Sequence, residues 1–315
     1  MSTIDDRIHK HRLLIAIQDS HSSDRITSNA HYENMIGSNS KFGEVWEGRF
    51  PIMDNDEIPN PTVAIKKTPM KDIDNLIHRR KISPESFLTM KRSVWIEVMF
   101  LKKCNDLVRA RICPSFILIF FEGVQKKAVF SNPMLTKYNE SNSNAVIVAM
   151  ELADGDLKQW CAVHRTDTEW VSIMFQILFG IIAYQTHANV SHNDLHWGNI
   201  LFKTVETPHA HSFWRYHYKR KTYLVPIVHT IVMITDFGFV SKLHQDNQMK
   251  DIRRISHVSD WVREKYSLPS TTLDAFKKKV QKSESMSQLL KSVSGFLPNV
   301  QELDEYMIVD SFNLG

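Results

Sequence analysis

Cysteine is scarce in this chain. Cys104, Cys113 and Cys161 are the only three in 315 residues, odd in number and far apart. That excludes a disulfide framework and a CxxC metal site, and suits a reducing compartment. Charge of one sign is also in short supply. The 39 Lys and Arg against 35 Asp and Glu leave a formal +4. Such a balance favours a polyanionic substrate but does not by itself argue for nucleic acid. A long apolar run is missing as well. The N-terminus MSTIDDRIHKHRLLIAIQDS holds five adjacent apolar residues, Leu13 to Ile17, after mixed charges. This is short of a secretory core, and nothing later approaches the roughly 18 apolar residues of a membrane span. The expectation is an intracellular, soluble protein without membrane insertion, free of internal repeats and low-complexity tracts.

What is present is a globular composition, 43% hydrophobic and 23% charged, able to bury a core in one large domain or two modest lobes. Residues 1–30 read as a short helix and a polar linker. Tyr32 to Phe50 suggests two strands about a turn at GSNSKFG, and PTVAIKK a short buried strand. The charged segment from Lys71 to Lys91 lacks apolar periodicity and is expected to cover the surface. VWIEVMFLKKC places Val94, Val98 and Leu101 on one helix face, and SFILIFFEGV and AVIVAMEL read as central strands. After a hinge near residue 151, EWVSIMFQILFGIIAYQTH has the spacing of a central buried helix. HTIVMITDFGFV is a strand running into a turn. Thr271 to Val293 carries Phe276, Val280, Leu289, Leu290 and Val293, as a packed helix would. The expected class is α+β: an extension (1–30), an antiparallel-sheet lobe with one helix (31–150) and a mainly helical lobe (151–315) with an insertion at about 203–229.

Four fragments carry the chemistry. SHNDLHWGNILF sets an acid, Asp194, and a carboxamide, Asn199, five residues apart, then turns apolar at Ile200 and Leu201. VAIKK ends a buried strand with Lys66, WIEVMFL puts Glu97 on a helix, and ITDFG supplies Asp236. Taken singly, VAIK is a common β pattern, DFG a turn, and a helical Glu a solvated charge. HxDLHxGN is the specific fragment, because a polar loop of that density has few structural excuses. Together they supply what phosphoryl transfer from ATP needs: a lysine on the phosphates, oxygen ligands for a cation, and an acceptor for the proton of the attacking hydroxyl.

In this order, over about residues 32–260, the fragments resemble the protein kinase-like superfamily. The resemblance implies a two-lobed kinase fold and an enzyme dependent on ATP and Mg²⁺. By that likeness Lys66 pairs with the α and β phosphates and is held by Glu97, Asp194 accepts or orients the hydroxyl proton, and Asn199 and Asp236 bind Mg²⁺. Lys66 and Glu97 stand 31 positions apart, more than the family's usual spacing. Glu85, in SPESF, is the competitor. Glu97 is preferred because Leu101 lies one turn on, where the family places an apolar residue packing towards the DFG phenylalanine, while Pro84 suggests a helix start or loop. IGSNSKFGEVW resembles the Gly-rich loop that cradles phosphates, which would comprise Ile36, Gly37, Ser38, Asn39, Ser40, Lys41, Phe42 and Gly43. Its glycines are six apart instead of five, and Asn39 or Ser40 stands where a middle glycine is expected. Phe42 and Val45 would cap the phosphates and adenine, with Ala64 beside them. Met150 would sit at the back of the adenine pocket, Glu151, Leu152 and Ala153 would form the hinge, and Asp156 would reach the ribose.

The catalytic loop departs from most serine/threonine kinases, which carry Arg before the catalytic Asp and Lys two residues after it. Here Asn193 and His196 stand there. DLHWGN is similar to the haspin group, and HxDLHxGN also to phosphotransferases acting on aminoglycosides or choline. A neutral His196 can donate one hydrogen bond to a γ-phosphate; otherwise it packs against Trp197 and the next strand. Asp251, in DIRRI, resembles the residue that anchors the catalytic loop from below. No APE motif follows DFG, and Ser241 is the one hydroxyl between Gly238 and Asp251, which speaks against a phosphorylation switch. SFWRYHYKRKTYLVPIVHT reads as a surface hairpin, with a nucleic-acid patch as the weaker reading. The whole is most similar to the serine/threonine kinases of large DNA viruses. That implies Ser/Thr transfer to viral or host proteins, in the host cytoplasm and the virion. The alternatives are a small-molecule phosphotransferase and a nucleotide-binding scaffold without turnover.

Overall fold

Strand pairing in the first half of the chain closes one antiparallel sheet in the computed structural model. The structure describes residues 3–315 apart from 20–22, 29, 37–41, 51–60, 81–92, 133–134, 136–143, 207–211, 267, 269 and 299–307. The chain divides into two compact units, one of Asp5–Lys102 with Ile117–Leu152, the other of Met1–Ile4, Lys103–Phe116 and Ala153–Gly315. The class is mixed α and β with antiparallel sheets.

The first of these units takes in most of helix α1 (Thr3–Asp19), then α2 (Ser23–Ser28), β1 (His31–Ile36), β2 (Glu44–Arg49), β3 (Thr62–Pro69) and α3 (Asp72–Arg80). Helix α4 (Val94–Arg109), β4 (Ile119–Gln125) and β5 (Ala145–Met150) follow. The strand order is β1-β2-β3-β5-β4, every neighbour antiparallel. β5 is buried at all its positions, as a strand with a neighbour on each side should be. Period-two alternation sorts the residues of β3 between faces. Val45 lies opposite Lys66 and Met150 opposite Ala64, so Val45, Ala64, Lys66 and Met150 share one face. Glu44 and Lys67 share the other, where they form a buried ion pair of 3.4 Å.

Three elements of this unit differ from the expectation: SFILIFFEGV, expected to be a central strand, gives β4 at the edge of the sheet. The polar linker contains α2, and the segment expected only to cover the surface contains α3. Helix α3 is short and lies in a charged segment, with Ile73, Leu76 and Ile77 at helical spacing, and its inward side is partly polar: Asp74 is 1% exposed, Asn75 8% and Ile77 4%. The Asp74 carboxylate accepts from Ser93 Oγ at 2.6 Å and from Val94 N at 3.1 Å. It thereby satisfies the first donor of α4 from a neighbouring helix. Burial raises its pKa, against the lowering effect of those hydrogen bonds. The His78 ring stacks on Trp95, 5.6 Å between centroids.

The other unit is built on the core helix. β6 (Gly155–Asp156) and α5 (Leu157–Trp160) lead to α6 (Asp167–Ala188), on which every residue from Trp170 to Gln185 is buried. A capping box of Thr166 and Glu169 starts α6, and Asn189 in the left-handed region at φ 53° ends it. It is the one described helix long and apolar enough to cross a membrane, and 83% of its apolar window is buried inside the protein. Strands β7 (Val190–Ser191), β8 (Ile200–Thr204), β9 (Phe213–Tyr218), β10 (Lys221–Pro226), β11 (Thr230–Ile234) and β12 (Ser241–Lys242) follow. Helices α7 (Lys250–Ser256), α8 (Val258–Tyr266), α9 (Thr271–Lys282) and α10 (Met286–Val293), and a last strand β13 (Ile308–Asn313), complete the unit.

The aromatic insertion forms a hairpin, β9–β10, but not a surface one. Trp214, Tyr216, Leu224 and Val225 are buried, and Tyr216 stacks on Phe179 of α6 at 4.4 Å. β13 adds to β9 in parallel. Of the rings that a nucleic-acid patch would use for stacking, Phe213, Trp214, Tyr216 and Tyr223 are core side chains, and Tyr218 is half-buried. The single helix expected at Thr271 to Val293 is two, α9 and α10. Ser285 interrupts it by capping α10 through a hydrogen bond from Gln288 N. All five of its apolar residues are nevertheless buried.

Candidate active site

In the sheet unit, Lys66 and Glu97 meet. The Lys66 Nζ stands 2.5 Å from Glu97 Oε1, with side chains 15% and 9% exposed. Val94, Val98 and Leu101, all buried, seat the helix that presents Glu97. A charged pair this sheltered has few solvent contacts to offset its desolvation, and the ion pair offsets part of that cost. Val45, Ala64 and Met150 lie on the same sheet face as Lys66.

The remaining nucleotide candidates of this unit divide. Ile36 is 38% and Phe42 47% exposed. A Cβ on Gly43 would come within 2.8 Å of the Lys67 carbonyl oxygen, so close backbone approach alone demands glycine there. Gly37, Ser38, Asn39, Ser40 and Lys41 lie outside the described residues, as does the competitor Glu85. The Glu151 side chain makes a buried bidentate pair with Arg7 of α1, at 2.9 and 2.7 Å, and accepts from Leu118 N at 2.9 Å. Its own N–H donates to Leu118 O at 2.9 Å. Of the Glu151 groups expected at a hinge, the N–H and the carboxylate are therefore engaged within the protein.

In the helical unit, Asp194 and Asn199 are tied to each other and to Thr235, the residue before Asp236, by backbone and side chain. Asn199 Nδ2 donates to the Asp194 carbonyl oxygen at 3.0 Å, which fixes the amide and leaves Oδ1 as its acceptor end. Thr235 N donates to Asn199 O at 3.1 Å, so the residue before Asp236 is bonded to the loop. His192, fully buried, joins the same two segments: its Nε2–H donates to Thr235 O at 2.9 Å and its Nδ1 accepts from Asp194 N at 3.3 Å. Those partners require the neutral Nε2–H tautomer. Asn193 and Asp236 both have φ 64°, a left-handed backbone that Asn and Asp tolerate better than other residues with a Cβ.

Beneath the loop, Asp251 is 1% exposed. Its carboxylate accepts from His192 N at 2.8 Å, Asn193 N at 2.9 Å, Ser191 Oγ at 3.0 Å and Tyr184 OH at 2.9 Å. Asn193 Nδ2 donates onward to Phe239 O at 3.0 Å and Ser241 Oγ at 2.8 Å. The segment after DFG is thus held to the loop by uncharged bonds. Phe237 is buried against His192, 4.7 Å between centroids. Asp156 caps α5 by accepting from Gln159 N at 2.9 Å, and Ala153 precedes it without a side-chain role in the described network.

His196 Nδ1 accepts from Gly198 N at 3.1 Å, capping the turn Trp197–Asn199. Desolvation lowers its pKa; the nearby Asp194 carboxylate opposes this, while Arg254 and Lys158 reinforce it. Trp197 stacks obliquely on Trp261 at 5.1 Å. Arg254 of α7, which no sequence motif announces, sets Nη1 2.9 Å from Asp194 Oδ1.

The donor set suits a hard cation: one amide oxygen and one carboxylate, both oxygen and neither sulfur nor imidazole. Among the described residues no group of three or more His, Cys, Asp or Glu side chains is placed to hold a metal. A cation at Asn199 and Asp236 would take its other oxygens from phosphates and water. No family model matches the chain, and no curated protein matches it.

Proposed function

We propose that this protein is a two-lobed protein kinase, dependent on ATP and Mg²⁺, that transfers the γ-phosphoryl group to Ser and Thr hydroxyls of proteins. The observation that carries the reading is the Lys66–Glu97 pair at 2.5 Å. A lysine on a strand and a glutamate 31 residues away on a helix are joined as a phosphate-holding lysine requires. The polar loop from His192 to Asn199 supports the same reading.

In it, Lys66 draws the α and β phosphate oxygens, and Glu97 keeps its ammonium in place. Asn199 and Asp236 hold Mg²⁺, which supplies neutralisation of phosphate charge when bound. Asp194 orients the attacking hydroxyl and receives its proton. His192 and Asp251 keep the loop in the one conformation that presents Asp194. The bonds from Asn193 Nδ2 to Phe239 O and Ser241 Oγ support activity without a phosphorylated switch, since neutral groups hold the segment after DFG to the loop.

The test is transfer of label from γ-labelled ATP with Mg²⁺, offered basic proteins in one arm and amino alcohols in another. The expected result is phosphoserine and phosphothreonine in protein, abolished by EDTA. Label on the amino alcohols alone would reassign the substrate to a small molecule. No transfer and no ATP consumption in either arm would contradict the reading.

A further inference from the structure

His196 turns Nδ1 towards Gly198 N–H as an acceptor, so that nitrogen is engaged within the loop. A positive group stands at Asp194. Arg254 Nη1 lies 2.9 Å from Asp194 Oδ1 and 3.3 Å from Asn193 O. One nitrogen makes both bonds, and the side chain keeps 45% exposure. The other edge of the guanidinium fork thus keeps donors to offer. The placement is not accidental to a floppy side chain. Asp251 and Arg254 are three residues apart on α7, hence on one face. The buried Asp251 carboxylate locks that face to the N–H groups of His192 and Asn193.

We propose that Arg254 is a catalytic residue whose guanidinium contacts the phosphoryl group while it passes to the hydroxyl held at Asp194. The proposal rests on the phosphotransferase reading above. In the step, the bond from the γ-phosphorus to the β–γ bridging oxygen breaks and its electron pair leaves with ADP. The bond from the substrate hydroxyl oxygen to phosphorus forms, and the hydroxyl proton goes to the Asp194 carboxylate. Arg254 changes no bond. It offers fixed positive charge where the equatorial oxygens pass, and a guanidinium stays protonated throughout. One helix thus does two things for the loop: Asp251 fixes its backbone from the buried side, and Arg254 supplies its charge on the exposed side.

The test compares Arg254→Lys, Arg254→Gln and Arg254→Ala with wild type and Asp194→Asn, each with its thermal melt. Lys keeps charge and Gln keeps a neutral donor, so the pair separates charge from mere positioning of Asp194 even if the Ala variant folds poorly. The expected result is a loss in kcat of about a hundredfold for Gln and Ala with KM for ATP little changed. Partial recovery is expected in Lys, and in Ala on adding low-millimolar guanidinium. Arg254→Gln with wild-type kcat, or Arg254→Lys as impaired as Ala, would overturn the proposal. Absence of Asp194-dependent transfer in wild type would instead overturn the function on which it rests.

Discussion

At the scale of single residues the loop is specified by hydrogen bonds more than by charge. His192 can bridge Thr235 O and Asp194 N only as the neutral Nε2–H form, and His196 can cap Gly198 only with Nδ1 unprotonated. Burial lowers the His196 pKa in the folded chain, with Asp194 and Asp236 opposing and Arg254 and Lys158 adding to the shift. An unfolded histidine takes its proton near pH 6.5. The neutral ring therefore contributes stability above that pH, and the contribution is lost as pH falls through the lower folded value. His196→Gln should lose less stability than wild type between about pH 7 and pH 5, read from urea midpoints at each pH. An equal loss in both would show that the ring titrates alike folded and unfolded. For Lys66, replacement by Ala should mainly weaken productive nucleotide placement and leave Glu97 without its partner; normal kcat in that variant would count against its role.

At the scale of elements, α7 is the most consequential. Replacing Asp251 with Ala would leave two backbone N–H groups and two hydroxyls without their acceptor in a buried place. A loss of about 3–5 kcal/mol is expected from a few such groups, measured by chemical denaturation; a loss under about 1 kcal/mol would mean that water replaces the carboxylate. This element was legible in advance only through resemblance, since DIRRI is similar to the Asp-led helix that anchors the catalytic loop of kinases from below. Helix α3 was not, since its three apolar residues, Ile73, Leu76 and Ile77, sit in a short stretch among charges, and its inward side also takes in Asp74 and Asn75. The β9–β10 hairpin misled in the other direction. Its Arg, Lys and His residues suggest a wet surface, whereas the alternate residues Trp214 and Tyr216 are buried, Tyr216 stacked on Phe179. The break at Ser285 was hidden because one apolar pattern runs through both helices, and only the cap distinguishes them. For β13, the partner strand β9 is far away in sequence, and a local pattern carries no sign of so distant a pairing.

At the scale of the whole molecule, the N-terminal extension is not an idle tail. Arg7 reaches Glu151 through a buried bidentate pair with side chains 4% and 8% exposed. Removing Arg7 alone would take the bidentate partner from a buried carboxylate at a cost of about 3–5 kcal/mol, whereas Arg7→Met with Glu151→Leu removes both charges and should cost about 1–3 kcal/mol, for the Leu118 N–H that loses its acceptor. Thermal melting of the three proteins checks this, and a harmless Arg7→Ala would show that Glu151 finds other partners. The pair was beyond sequence reading: 144 residues separate its members, and neither lies in a motif. Two contacts of the candidate site were more legible, because the fragments had paired Lys66 with Glu97 and set Asn199 beside Asp194, and the structure joins both pairs. What the fragments could not show was Arg254, a lone charge in an ordinary helix. The most direct measurement is the turnover number of Asp194→Asn against wild type with Mg²⁺, ATP and a protein substrate. The account predicts a fall of at least about a hundredfold, with the melt and ATP binding unchanged. Equal turnover in the two proteins would contradict it.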